Sequence, residues 1–300
     1  MKQELANALL ICEFLFYNVP LLLLYALCII AIFKNRKIFN NVFYILVYST
    51  AGSDLVYNLW LLYFCIVEVR DESFPPETLH RLALFFCYSM AMIISLQSFA
   101  MSMLRFLATI SPVIYQKVTS QHVVSALALL WTISLVVTSP QLFDCCGYRH
   151  AHLNATMMDA AKSWRLSYAF YGGILWVLLT LTSFLMSIAS LCTMFQRSRK
   201  LGKTRYNQEL SLLFQASAIC SCELFLLISY GIATCGSTKS GSKYSYSQHI
   251  YKVALYTVVS GNGLIYLAFN KQLRQVLRSQ LLRKTNEPNS DFKTIDKSVK

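Results

Sequence analysis

A seven-helix membrane bundle is the fold class the sequence predicts, and three observations predict it. The 300-residue chain is 56% hydrophobic and only 14% charged, too little charge to solvate the surface of an ordinary water-soluble domain. Its apolar residues are gathered into blocks of about 18 residues or more, the length a helix needs to cross the hydrocarbon core. Its basic residues cluster at the ends of alternate blocks, where they hold loops on the cytoplasmic side.

The first block, Leu9 to Phe33, lacks a short apolar core followed by a small-residue cleavage site, so it is expected to span the membrane. The second runs from Asn41 to Val67 and carries Asp54; the third runs from Leu82 to Thr109; the fourth, from His122 to Phe143, contains Trp131 and Pro140. The fifth covers Leu166 to Phe195, the sixth Leu210 to Cys235 with Glu223 inside it, and the seventh His249 to Phe269. Beyond it, residues 270–284 alternate Lys and Arg with Leu and Val at helical spacing, as a helix lying in the interface would. Residues 286–300 turn polar and are expected to form a disordered cytoplasmic tail. With no internal repeat and no Pro- or Gly-rich linker, residues 1–285 are expected to form one domain.

An odd number of spans puts the termini on opposite sides. Lys34, Arg36 and Lys37 follow the first block, Arg197 to Arg205 the fifth, and Lys271, Arg274 and Arg278 the seventh. Glu68, Asp71, Glu72 and Glu77 follow the second, and the sequon Asn154-Ala155-Thr156 follows the fourth. Both signals place the N-terminus outside, the C-terminus in the cytosol and Asn154 at a glycosylation site. The net charge of +13 lies in short juxtamembrane loops and a tail, so it matches anionic lipid rather than nucleic acid.

Few residues invite chemistry. Most of the ten cysteines fall inside helices, where a thiol behaves as a small hydrophobe. Cys145 and Cys146, in the loop after the fourth block, and Cys87, near the outer end of the third, are candidates for one disulfide, with Cys235 a rival partner. No phosphate loop, nucleophile elbow or metal-ligand spacing is visible, so neither enzyme activity nor a cofactor or metal is expected. Asp54 is an expensive carboxylate in mid-membrane, either a satisfied structural hydrogen bonder or a working group. Glu223 carries the same two readings, as a ligand-facing carboxylate or an acid bonded to a neighbouring helix.

Taken together, these residues resemble the rhodopsin-like G-protein-coupled receptors. Arg105-Phe106-Leu107-Ala108 followed by Ser111-Pro112-Val113-Ile114-Tyr115 is similar to that family's Asp-Arg-Tyr box and its Pro-x-x-Tyr, with Leu104 in place of the acid. Ser53-Asp54-Leu55 resembles the acidic site of helix two, and Trp131 with Pro140 the helix-four pair. Asn262-Gly263-Leu264-Ile265-Tyr266 resembles the Asn-Pro-x-x-Tyr of helix seven, with Gly263 replacing the proline. FYILVYSTAGSDL and GLIYLAFNKQLR look most like the divergent nematode serpentine chemoreceptors of the Srx, Srt and Srv type. His80 stands where the family's helix-three cysteine is expected, so the resemblance does not supply a Cys87 disulfide.

The resemblance implies a receptor that binds a small molecule between the outer halves of its helices and activates a heterotrimeric G protein on the inner face, in the plasma membrane or a sensory cilium. It gives activation roles to Arg105, Glu209, Asp54, Asn262 and Tyr266, with Glu209 the resting partner of Arg105 and Asp54 bonded across the core to Asn262. Tyr88, Met92, Tyr168, Tyr171, Trp176, Glu223 and Tyr256 are candidates to line the ligand pocket. A seven-helix ligand-gated channel of the insect odorant-receptor kind is the alternative, and a transporter a third. The basic loops and the sequon argue against the channel, and missing repeat symmetry against the transporter.

Overall fold

The computed structural model describes residues 11–37, 39, 42–70, 77–142, 149–151, 155–157, 163–197, 203–240 and 246–282. Six of its helices are long and apolar enough to cross a membrane: Glu13–Lys34, Val42–Val67, Arg81–Ile110, Ser120–Thr138, Gly173–Gln196 and Leu210–Ile232. A bent pair, Ile250–Ser260 and Asn262–Phe269 at 54°, makes the seventh. They are helices one to seven below. Leu23, Phe33, Leu59, Val136 and Leu185 are all exposed on the bundle's flanks, which suits a protein whose outer surface meets lipid chains rather than water.

Local chemistry explains where these helices start, stop and bend. Helix one opens with a π-helical stretch, Glu13–Asn18, directly before Pro20; the proline has no N–H to donate and its ring crowds the preceding turn, so the ladder widens there. Helix three ends at Ile110 because Ser111, at φ −129° and ψ 68°, precedes Pro112, which starts the short helix Pro112–Gln116. Helix four is held at its start by Thr119 and His122, each accepting the other's backbone N–H at 3.3 Å. It becomes a 3-10 turn at Ser139–Leu142, where Pro140 cannot continue the ladder.

The bend in helix seven falls at Gly261. A Cβ there would collide with the carbonyl oxygen of Thr257. Two residues on, a Cβ at Gly263 would stand 2.6 Å from the Cα of Tyr25. Gly263 therefore does something a proline could not: it lets the backbones of helices one and seven touch, close enough for the Cys28 thiol to reach the Gly263 carbonyl at 3.6 Å.

Two short strands, Arg149–Ala151 and Ala155–Met157, pair antiparallel after helix four. Three-residue strands fall below any periodicity that the sequence could show. Asn154, Cys145 and Cys146 lie outside the described residues, as does the tail expected at 286–300.

The apolar core is uneven along the bundle. At the end carrying the basic connectors, one continuous cluster joins helices one, two, three, four, six and seven, including Tyr25, Phe43, Met101, Leu127, Ile219 and Tyr266. It extends into the terminal helix Lys271–Leu282, which buries Leu273 and Val276. Asn270 fixes that helix twice, capping it by accepting the Leu273 N–H at 3.0 Å and donating to the Tyr44 hydroxyl at 2.8 Å. Arg274 then reaches back to the Leu267 and Ala268 carbonyls at the end of helix seven. Towards the opposite end the described core divides into three smaller clusters, centred on Tyr57, on Phe14 and on Leu226.

Candidate functional site

Asp54 is wholly buried, at 0% exposure. Its Oδ2 accepts from the Tyr25 hydroxyl at 2.8 Å and from Asn262 Nδ2 at 3.0 Å, so one carboxylate oxygen ties helix two to helices one and seven. The Asn262 contact is the one expected from the sequence. A turn away, Asn58 donates to the Asp54 carbonyl at 2.8 Å and accepts from Asn18 at 2.9 Å and Ser260 at 3.1 Å. Ser260 also contacts Asn18 Oδ1 at 2.5 Å. Five polar side chains thus link up around Asp54, whose Oδ1 is buried with no hydrogen-bond partner among the described residues. Tyr266 packs against Tyr25 beside this corner, the rings tilted by 55° with centroids 5.8 Å apart.

Helices two, three and four share a second network. Ser49 accepts from Gln97 at 2.6 Å and from the Trp131 indole N–H at 3.1 Å. Trp131 therefore joins the helices as a hydrogen-bond donor as well as an apolar wedge. Farther along, Ser134 donates to the Ser89 carbonyl at 2.7 Å, and the Ser89 and Thr138 hydroxyls meet at 2.5 Å.

Arg105 lies at the basic end of helix three and is only 4% exposed. Its guanidinium carbon sits 4.0 Å above the Phe43 ring of helix two, a cation–π contact in a dry setting. A membrane anchor would extend its charge to the interface; Arg105 turns inward instead. The Glu209 side chain lies outside the described residues, so its expected pairing with Arg105 is not described.

Helices three, five and six meet along a third, thinner polar line. Glu223, 2% exposed, accepts from the Ser98 hydroxyl. A turn farther on, Ser102 lies 3.0 Å from the Cys220 sulfur and 3.4 Å from the Ser187 hydroxyl. Helix five turns Thr180, Ser183, Ser187 and Ser190 into the bundle, all buried, and such small residues let helices pack closely in lipid.

A family model for serpentine-type seven-transmembrane GPCR chemoreceptors of the Srv type matches residues 13–283. The chain belongs to that family. The match takes in all seven spans and the whole terminal helix, so it covers the bundle rather than a single motif. A comparison with curated proteins finds no match. For an Srv-type chemoreceptor, the arrangement supplies two things: a rigid polar joint around Asp54, and an arginine held inside the basic end of the bundle.

The expected pocket residues do not all converge. Trp176 of helix five packs beside Leu226 and Tyr251, with Tyr230 at 5.8 Å between ring centroids. Tyr256 faces away from that group, edge-on to Phe14 at 6.0 Å, in the corner of helices one, two and seven. Tyr88 and Met92 of helix three are half-buried, and the side chains of Tyr168 and Tyr171 lie outside the described residues. Cys87 is a free thiol packed into the Tyr57 cluster, and its expected disulfide partners, Cys145 and Cys146, lie outside the described residues.

The sequence reading missed Tyr25, Asn18, Asn58 and Ser260. Their signal was spacing: Asn18 and Tyr25 stand seven residues apart, and Asp54 and Asn58 four apart, which puts each pair on one face of an otherwise apolar helix.

Proposed function

We propose that this chemoreceptor binds a small molecule among the ends of its helices remote from the basic connectors, and that it activates a heterotrimeric G protein at the basic end. Family membership over residues 13–283 carries this reading. Two features support the division of labour. The core is continuous at the basic end and divided at the other, where a ligand displaces less packing. Arg105, with five donors in a planar fork, is buried at the basic end, where it can exchange partners as helices move. Glu209, Tyr266 and the α subunit are its proposed successive partners. The basic loops support a cytosolic placement of that end and an N-terminus outside, with the receptor in the plasma membrane of a sensory cell. The aromatic group around Trp176, with Tyr88 and Met92 across from it, is the proposed ligand wall.

The test has two arms. An N-terminal epitope is expected to stain on unpermeabilised cells and a C-terminal one only after permeabilisation, with Asn154 carrying glycan. A chemical screen in cells expressing the receptor, read by cAMP or calcium, is expected to yield ligands whose response needs an added G-protein α subunit. A C-terminal tag exposed on intact cells, or a ligand response independent of any G protein, contradicts the reading.

A further inference from the structure

Asp54 and Glu223 are the buried acids among the described residues. Each has one oxygen with no hydrogen-bond partner there, Oδ1 and Oε2, so a bare oxygen alone distinguishes neither. Their settings differ. Asp54 takes donors from two helices, Tyr25 and Asn262, and Tyr25 belongs to the continuous core of the basic end. Glu223 takes one donor, the Ser98 hydroxyl of helix three, and no cationic side chain is bonded to it among the described residues. It shares a face of helix six with Leu226 and Tyr230, three and seven residues on. Their surroundings are aromatic: Leu226 packs with Trp176 and Tyr251, and Tyr230 meets those two rings at 5.8 and 5.5 Å.

Helix five adds a hydroxyl at the same level. It runs antiparallel to helix six, with Trp176 beside Tyr230 and Ser187 beside Cys220, so Thr180 stands between those two levels, as Glu223 does. Thr182 and Ser183 turn their hydroxyls back onto carbonyls of their own helix, whereas Thr180 Oγ1 is buried with no partner among the described residues. A carboxylate oxygen and a hydroxyl from adjoining helices are thus left unmatched beneath an aromatic group, and buried polar atoms left so are costly.

The geometry points to this place as the floor of the ligand site, where Glu223 holds the ammonium head of a lipophilic amine while Trp176, Leu226, Tyr230 and Tyr251 enclose its apolar body. The inference rests on the ligand reading above and narrows it to a chemical class. An ammonium brings the charge and the N–H donors that Glu223 Oε2 lacks, with a further donor for Thr180 Oγ1. A charge-assisted hydrogen bond is about twice as strong as a neutral one, and a cation close to Trp and Tyr rings gains more in a dry setting. An alcohol of the same shape offers one donor and no charge. Length follows from the helix: seven residues at about 1.5 Å each put Tyr230 about 10 Å outward of Glu223, the reach of an amine carrying one aromatic ring or a medium alkyl chain.

The experiment uses the full-length receptor purified in detergent, with 2-phenylethylamine and hexylamine as probes and 2-phenylethanol and 1-hexanol as their uncharged matches. Affinity is read from the rise in unfolding temperature with probe concentration. The amines are expected to bind at least about tenfold tighter than the alcohols, and Glu223→Gln to abolish that preference. Glutamine keeps an oxygen for the Ser98 hydroxyl, so the variant retains that bond. Thr180→Val leaves the carboxylate untouched and is expected to weaken amine binding about fivefold, which keeps the test open should Glu223→Gln not fold. Glu13→Gln, at the start of helix one, is expected to bind all four probes as wild type does. Amines and alcohols binding alike, no binding of either amine up to about 1 mM, or wild-type amine affinity in Glu223→Gln or in Thr180→Val overturns the assignment. Alcohols that bind and signal without Glu223 overturn the amine class and leave the ligand reading standing. Amine binding that needs Glu223 yet evokes no G-protein activation in cells supports the site and counts against G-protein coupling.

Discussion

The corner where helices one, two and seven meet and the seam where helices three, five and six meet are both polar and both buried, yet they are built differently. In the corner, Asp54, Tyr25, Asn262, Asn58, Asn18 and Ser260 bond to one another, and the backbones of helices one and seven touch at Gly263. In the seam, Ser98 meets one carboxylate, and Ser102 and Ser187 share the Cys220 thiol. Neither is fully satisfied, for Asp54 Oδ1 and Glu223 Oε2 are both buried with no hydrogen-bond partner among the described residues. The corner ties three helices through one connected set of bonds, whereas the seam has two separate, smaller contacts. The corner, bonded across three helices and closed by a backbone contact, is the frame, and the seam is the part where fewer bonds resist movement.

Breaking the frame is expected to have the largest effect. Gly263→Val would drive a branched side chain into the Tyr25 backbone, 2.6 Å from where its Cβ must stand. That overpacking is expected to cost about 3 kcal/mol, seen as loss of most surface receptor and a lower unfolding temperature in detergent.

Next comes the arginine between the two regions. Arg105→Lys keeps the charge but loses the planar fork that lies over Phe43. It is expected to reach the surface at near wild-type level and to lose most G-protein activation, measured by nucleotide exchange at matched expression. Full activity in that variant would show that only charge is needed there.

The smallest effect is expected from Asp54→Asn. An amide oxygen still accepts from Tyr25 and Asn262, so stability is expected to fall by no more than about 1 kcal/mol and surface level to stay close to wild type, while the signalling response shifts. A variant that fails at the surface instead would make Asp54 purely structural.

How much of this was legible in the sequence follows from what kind of signal each feature leaves. The spans were legible because hydropathy adds up over a whole membrane crossing, and the positions of Asp54, Trp131, Asn262 and Arg105 were legible because motifs mark them. Helix six runs to Ser240 rather than stopping near Cys235, since polar residues past the hydrocarbon edge still favour helix when nothing breaks it. The closure of the corner was not legible. Ser260 and Asn18 are ordinary polar residues in apolar runs, and only the bend at Gly261 and the contact at Gly263 bring them together. The inward turn of Arg105 was equally hidden, because an anchor and a buried switch are written with the same letter at the same end of a helix.

The contrast between frame and moving seam is tested most directly by locking each with a disulfide. Ser102→Cys places a second sulfur beside native Cys220, where the present oxygen and sulfur are 3.0 Å apart. Ser89→Cys with Thr138→Cys does the same between helices three and four, where the hydroxyls are 2.5 Å apart. G-protein activation by each variant, under oxidising conditions and again after reductant, is the measurement. The oxidised Ser102→Cys receptor is expected to be silent and to recover on reduction, while the helix three to four lock signals alike in both conditions. Equal signalling from the oxidised and reduced Ser102→Cys receptor, with the bond confirmed by mass spectrometry, would contradict it.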